Sequence, residues 1–143
     1  MPLDPWSVFT ANFGAAPKPC TAFVTLLDMA IYFVTIVNVG RARAQYKVKA
    51  PSTDGPEPFL RILRVQVNTV EQLALHLPIL WVAAFAMDDA FAASFGAVWA
   101  LGRVLYARGY YKKAKRRTKG FIIGMVVNGI LLAGALAGTV ASF

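Results

Sequence analysis

The chain has 143 residues, of which 57% are apolar and 15% charged, and it carries a formal net charge of +8. Its mean hydropathy is +0.53, and the length suits one domain with more apolar and fewer charged residues than a soluble domain carries, which favours a membrane protein. The single cysteine, Cys20, excludes an internal disulfide and any multi-cysteine metal site.

The opening MPLDPWSVFTANFGAAPKPC has no charged region followed by an apolar stretch, so no cleavable signal peptide is expected. Pro2, Pro5, Pro17 and Pro19 predict an irregular lead-in, with Trp6, Phe9 and Phe13 as interfacial anchors. Cys20 reads as a small surface or interfacial residue.

Four apolar runs follow, each about 20 residues or more, the length a helix needs to cross about 30 Å of hydrocarbon. The first helix is expected over about 21–40. Its Asp28 would be costly as an ion in lipid and reads as a neutral or hydrogen-bonded carboxyl between helices. RARAQYKVKAPSTDGPEP then contains Pro51, Gly55, Pro56 and Pro58 as breakers.

The second helix is expected over about 59–87 and is the longest, so its polar end should protrude. That end reads RVQVNTVEQ. Arg64, Asn68 and Glu71 are spaced i, i+4, i+7 and share one face, which Arg61 extends by a turn. Gln66 points elsewhere, toward a neighbouring chain. Arg64 and Glu71 could also simply neutralise each other. His76 is the only histidine, which leaves no metal-ligand cluster, and it reads as structural. Pro78 is expected to kink the helix.

A short acidic turn at Asp88 and Asp89 leads to the third helix, expected over about 90–113. Arg103, Tyr106, Tyr110, Lys113 and Arg117 would form one stripe if this helix ran on into KKAKRRTK. An Arg inside a membrane helix needs a partner, and Glu71 is a natural one for Arg103. Guanidinium and phenol donors on one stripe suit an anionic ligand. Lys112, Lys113, Lys115 and Lys119 read instead as snorkelling to lipid headgroups. The fourth helix is expected over about 120–141. Its Gly120, Gly124, Gly129, Gly134 and Gly138 suit close packing in a bundle.

The two basic connections must lie on one side of a four-helix bundle. They hold 11 of the 15 basic residues: Arg41, Arg43, Lys47, Lys49, Arg108, Lys112, Lys113, Lys115, Arg116, Arg117 and Lys119. The excess of positive charge on cytoplasmic loops places segments 41–58 and 112–119 in the cytoplasm and both termini outside it. That distribution accounts for +8 without nucleic acid. The predicted class is an all-α integral membrane four-helix bundle spanning 1–143 as one domain. A transporter using Asp28 and Glu71 is disfavoured, because the first and third helices are too unlike for an inverted repeat.

RVQVNTVEQ, GRVLYARGYY and the basic segment after it, on four membrane helices, resemble the MAPEG superfamily, the membrane-associated proteins in eicosanoid and glutathione metabolism. GRVLYARGYY is similar to the type-3 microsomal glutathione transferases, and FLRILRVQVN to leukotriene C synthase. The resemblance runs from Arg41 to the end of the fourth helix.

It implies a homotrimer, with glutathione as co-substrate bound between adjacent protomers near the cytoplasmic surface, and no metal. The lipid bilayer and a hydrophobic electrophile or lipid hydroperoxide would be the other partners. Carried over by position, Arg64, Gln66, Asn68 and Glu71 would contact glutathione from the second helix, and Arg103, Tyr106 and Tyr110 from the third. Arg43 would bind a glutathione carboxylate. Arg117 would stabilise the thiolate, and a one-residue shift would give that role to Arg116. The implied activity is that of a membrane glutathione transferase, with glutathione peroxidase activity where the electrophile is a hydroperoxide. The alternative is a non-catalytic lipid- or partner-binding protein of the same fold. The membrane would be the inner membrane in a bacterium and the endoplasmic reticulum in a eukaryote. The chain departs from the eicosanoid enzymes at Gln72, where they often carry Tyr followed quickly by Pro. Here Pro78 comes late, which fits a prokaryotic or generic detoxifying branch.

Overall fold

The computed structural model describes residues 18–143. Trp6, Phe9 and Phe13, expected as interfacial anchors, lie outside the described residues, as do Pro2, Pro5 and Pro17. The described chain is helical, with no strand among these residues. Helix α1 spans Pro19–Tyr46, α2 Glu57–Ala86 and α3 Asp89–Lys112. A single 3-10 turn, Ala114–Arg117, leads into α4, Thr118–Val140. All four helical spans are long and apolar enough to cross a membrane.

Each helix is placed by local chemistry. α1 starts on Pro19, whose missing N–H costs nothing in a first turn. It outruns the apolar stretch and continues through Arg41–Tyr46, because Arg, Ala and Gln favour helix. It stops where Lys47 turns left-handed at φ 55, with the Val48 N–H donating to Arg43 O at 3.0 Å. α2 carries Pro58 in its first turn and stays helical through Pro78 to Ala86. Pro78, expected to kink this helix, does not end it.

The acidic turn divides its two carboxylates between two helices. Asp88 caps its own helix, accepting from the Phe91 N–H at 2.9 Å. Asp89 accepts from the N–H groups of Cys20 (3.0 Å) and Thr21 (2.9 Å), two of the orphan donors that begin α1. One residue of α3 thus ties down the start of α1.

The bundle closes around Trp99, Leu80 and Leu131, all fully buried. α4 lies so close to α3 at one end that a methyl on Gly120 would meet the Tyr106 backbone nitrogen and the Gly102 carbonyl. At the other end a methyl on Gly138 would meet the Ala86 carbonyl. Lipid supplies no hydrophobic drive between helices, so such close packing has to hold them together. Large apolar side chains remain on the outside, among them Phe23, Leu26, Phe33 and Leu101, facing where the hydrocarbon would be.

The centre also buries polar groups. His76 stacks flat on Trp99, with ring centroids 4.0 Å apart and 5° between planes. Its Nδ1 lies 2.7 Å from Asn128 Oδ1, and its Nε2 lies 3.5 Å from Asp28 Oδ2. As an acceptor, Asn128 Oδ1 requires the proton on Nδ1, so Nε2 is left to face the carboxyl. Asp28, His76 and Asn128 therefore join α1, α2 and α4 across the core, away from the basic end of the bundle.

Candidate functional site

The polar face of α2 and the tyrosine face of α3 meet at the basic end. Arg64, Asn68 and Glu71 of α2, Tyr106 and Tyr110 of α3, and Arg117 and Phe121 beyond it line one open groove of about 440 Å³. Helical spacing brings the first five together, since 64, 68 and 71 stack on one face, as do 106 and 110. The two phenol rings lie 5.7 Å apart.

Arg117 arrives by a different route from the expected one. α3 does not run on into the basic segment. It ends at Lys112, Lys113 is extended at φ −154, and the 3-10 turn redirects the chain. The continuous stripe through Lys113 is therefore corrected: Lys113 drops out of it. Arg117 folds back so that its Nη1 donates to the Tyr110 hydroxyl at 3.1 Å and its guanidinium lies 5.0 Å from that ring. The turn is held tight by Gly109, where a methyl would meet the Arg116 carbonyl. Arg116 points into a separate surface recess, so the two adjacent arginines serve different places.

Arg103 stands behind the groove rather than in it. It is 2% exposed and donates to Asn68 Oδ1 and Thr69 Oγ1, both at 3.1 Å, while its guanidinium lies 4.2 Å from the Tyr106 ring. The expected Arg103–Glu71 pair does not form directly. Asn68 sits between them: its amide donates to Glu71 Oε2 at 3.3 Å while its carbonyl accepts from Arg103. An amide has both a donor and an acceptor end, so it relays the buried cation to the surface carboxylate. Thr69 completes the support, donating in turn to Val65 O at 2.7 Å.

Two other expected site residues lie outside this groove. Gln66 donates to the Tyr32 hydroxyl of α1 at 3.0 Å. Arg43 donates to Ser52 O at 2.8 Å and packs over Phe59, 5.4 Å from its ring. Gln66 thus reaches α1, and Arg43, itself in α1, reaches the following loop and the start of α2. Sequence reasoning did not single out Thr69, Phe121 or Tyr32. Thr69 follows Asn68 in sequence, and a hydroxyl one residue past a polar face was the available signal. Among the described residues no group of three or more His, Cys, Asp or Glu could hold a metal.

The groove can therefore offer two guanidinium groups, one carboxylate, one amide and two phenols around an open space, with one more cation buried behind the amide. Such a set suits a ligand carrying both carboxylate and ammonium groups.

Comparison with known proteins agrees with this architecture. The model of the MAPEG family matches residues 21–137. An uncharacterised protein of Synechocystis sp. is 53% identical over 115 residues, covering 80% of this chain and 84% of its own. Microsomal glutathione S-transferase 2 of Homo sapiens is 37% identical over 116 residues, covering 80% and 79%. Leukotriene C4 synthase of Bos taurus is 35% identical over 122 residues, covering 85% and 81%. With four membrane-length helices among its described residues and a family match over most of its length, this chain is a multi-pass integral membrane protein and belongs to the MAPEG family.

Proposed function

We propose that the chain is a membrane-bound glutathione transferase that activates the glutathione thiolate for attack on hydrophobic electrophiles or for reduction of lipid hydroperoxides. The observation that carries this reading is the convergence of Arg64, Asn68, Glu71, Tyr106, Tyr110 and Arg117 on one groove. Glutathione presents two carboxylates, one ammonium and one thiol. Arginines suit the carboxylates and Glu71 suits the ammonium. Relatives named as a glutathione transferase and a leukotriene C4 synthase lend support.

A free thiol with a pKa near about 8.5 is mostly protonated at neutral pH. A guanidinium beside the sulfur favours the thiolate. Arg117 is the residue assigned this role, with its guanidinium anchored on Tyr110. In conjugation the thiolate forms a C–S bond and the electrophile's leaving group departs with its electron pair. In peroxide reduction the thiolate attacks the O–O bond and releases an alcohol, and a second glutathione then forms the disulfide and water. Electrophiles dissolved in the bilayer would reach the groove from the lipid.

The reading includes a homotrimer with its basic loops in the cytoplasm. Arg43 and Gln66 lie on the α1 side, away from the groove, so in an assembly they could complete the groove of an adjacent copy. A purified-protein assay tests the function. Glutathione should bind by calorimetry, and turnover should be seen with a chlorodinitrobenzene-type electrophile or a hydroperoxide. Binding without turnover on either would favour the non-catalytic alternative, and no binding would overturn the proposal.

A further inference from the structure

The turn that sends Arg117 into the groove sends its neighbours outward. Arg108 and Lys112 of α3, Lys115 and Arg116 of the 3-10 turn, and Lys119 of α4 surround a second recess of about 790 Å³. It shares no lining residue with the proposed glutathione groove. Five cations face it and, among the described residues, no acidic side chain does. The salt bridges among the described residues, Arg61–Glu57 and His76–Asp28, involve none of the five. Like charges around one recess repel one another, and an anion among them would offset that repulsion.

What lies beneath the recess narrows the choice of anion. Leu105 lines its floor and is 52% exposed, and Leu101, one turn deeper, is 65% exposed. Positions 101, 105, 108 and 112 follow the 4-3-4 spacing of one helix face, so the cations of α3 stand at the head of an apolar track. α4 repeats the arrangement: Lys119 heads a face that continues through Ile122 and Val126, 53% and 55% exposed. A cationic mouth at the helix ends, with two apolar tracks descending from it, matches a molecule with an anionic head and two acyl tails. A soluble anion would use the mouth but not the tracks.

We propose that the corner formed by α3, the 3-10 turn and α4 binds the headgroup of an anionic phospholipid. The phosphate sits among Arg108, Arg116 and Lys119, and the acyl chains lie along Leu105 and Leu101 on one side and Ile122 and Val126 on the other. Basic clusters at the cytoplasmic ends of membrane helices have the electrostatics for this task. The occupant would brace the turn whose other side presents Arg117.

The test uses the full chain purified in a neutral detergent and native mass spectrometry. Phosphatidylglycerol and phosphatidylcholine with identical acyl chains are titrated separately, with inorganic phosphate as competitor. The expected preference for phosphatidylglycerol is roughly tenfold or more. The triple variant Arg108→Gln, Arg116→Gln, Lys119→Gln should reduce it to less than about twofold while helix content is kept, and Lys47→Gln with Lys49→Gln should leave it intact. On the unmodified protein, raising salt from about 0.1 to about 0.5 M should weaken the preference, which keeps the test decisive if the triple variant fails to fold. Equal binding of the two lipids, a preference kept by the folded triple variant, or one lost equally on changing Lys47 and Lys49 would overturn the proposal. So would a salt-insensitive preference, or displacement of the lipid by millimolar phosphate, which would make the recess a site for a free anion.

Discussion

Arg116 and Arg117 are adjacent and chemically identical, yet the fold gives them opposite surroundings. Arg117 reaches Tyr110 and the groove, and Arg116 lines the outer recess. Arg117→Ala should therefore raise the pKa of bound glutathione, so that thiolate absorbance in the ultraviolet falls at neutral pH and recovers only as pH rises. Removing a nearby cation shifts a thiol upward, and each pKa unit corresponds to about 1.4 kcal/mol. Arg116→Ala should leave the thiolate titration where it was. If the two variants behaved in the reverse way, the thiol would lie at Arg116.

Thr69 gives a subtler prediction at the same scale. Its hydroxyl accepts from buried Arg103, which also holds Asn68. Thr69→Val keeps the shape but leaves a guanidinium N–H without its partner, a loss of about 1–3 kcal/mol. Arg103 would then hold Asn68 less firmly, and the glutathione KM should rise more than kcat falls. A steady-state comparison at saturating electrophile checks this, with Thr69→Ser as the rescue.

The elements show how the site was assembled and how much of that could be read in advance. The α2 face of Arg64, Asn68 and Glu71 follows from spacing alone, as does the Tyr106–Tyr110 pair, because a helix fixes which residues share a side. The break after Lys112 does not follow from spacing. No proline stands near it, and Gly109 lies within α3, where its role is to let the turn pack against the helix. The Asp89 tie to α1 was equally illegible, because it joins residues 68 and 69 positions apart. Asp89→Ala should remove that cap and lower stability by about 0.5–2 kcal/mol, as loss of a helix N-cap does. The thermal midpoint in detergent should drop while glutathione affinity stays unchanged, since Asp89 lies at the opposite end of α3 from the groove.

Gly120 ties element packing to chemistry. α4 begins against the Tyr106 backbone, and any side chain at 120 meets it. Gly120→Val must push the start of α4 away from α3, and Arg117, three residues earlier, would move with it. Overpacking of this kind costs about 1–3 kcal/mol. The thiolate signal should be lost in this variant as well as stability. Gly129→Val, at a position where an added Cβ meets nothing, is the control that should lose neither.

At the scale of the whole molecule, one chain supplies the groove proposed for glutathione but leaves it open. The groove lies on one side, while Arg43 and Gln66 are held on the α1 side by Ser52 and Tyr32. Cyclic symmetry offers a direct way to ask whether a neighbour closes it. In a ring, each groove would meet the Arg43 of one adjacent copy. Arg43→Ala and Arg117→Ala should each abolish most activity when expressed alone. Co-expressed in equal amounts, they should regain activity, because some grooves with an intact Arg117 will meet a neighbour with an intact Arg43. Random mixing makes roughly a quarter of the sites whole in a closed ring. A site contained within one protomer would regain nothing, because every chain carries one of the two lesions. Mixing the variants after separate purification in a detergent that prevents exchange should also restore nothing, so recovery specific to co-expression would assign the second half of the site to an adjacent copy.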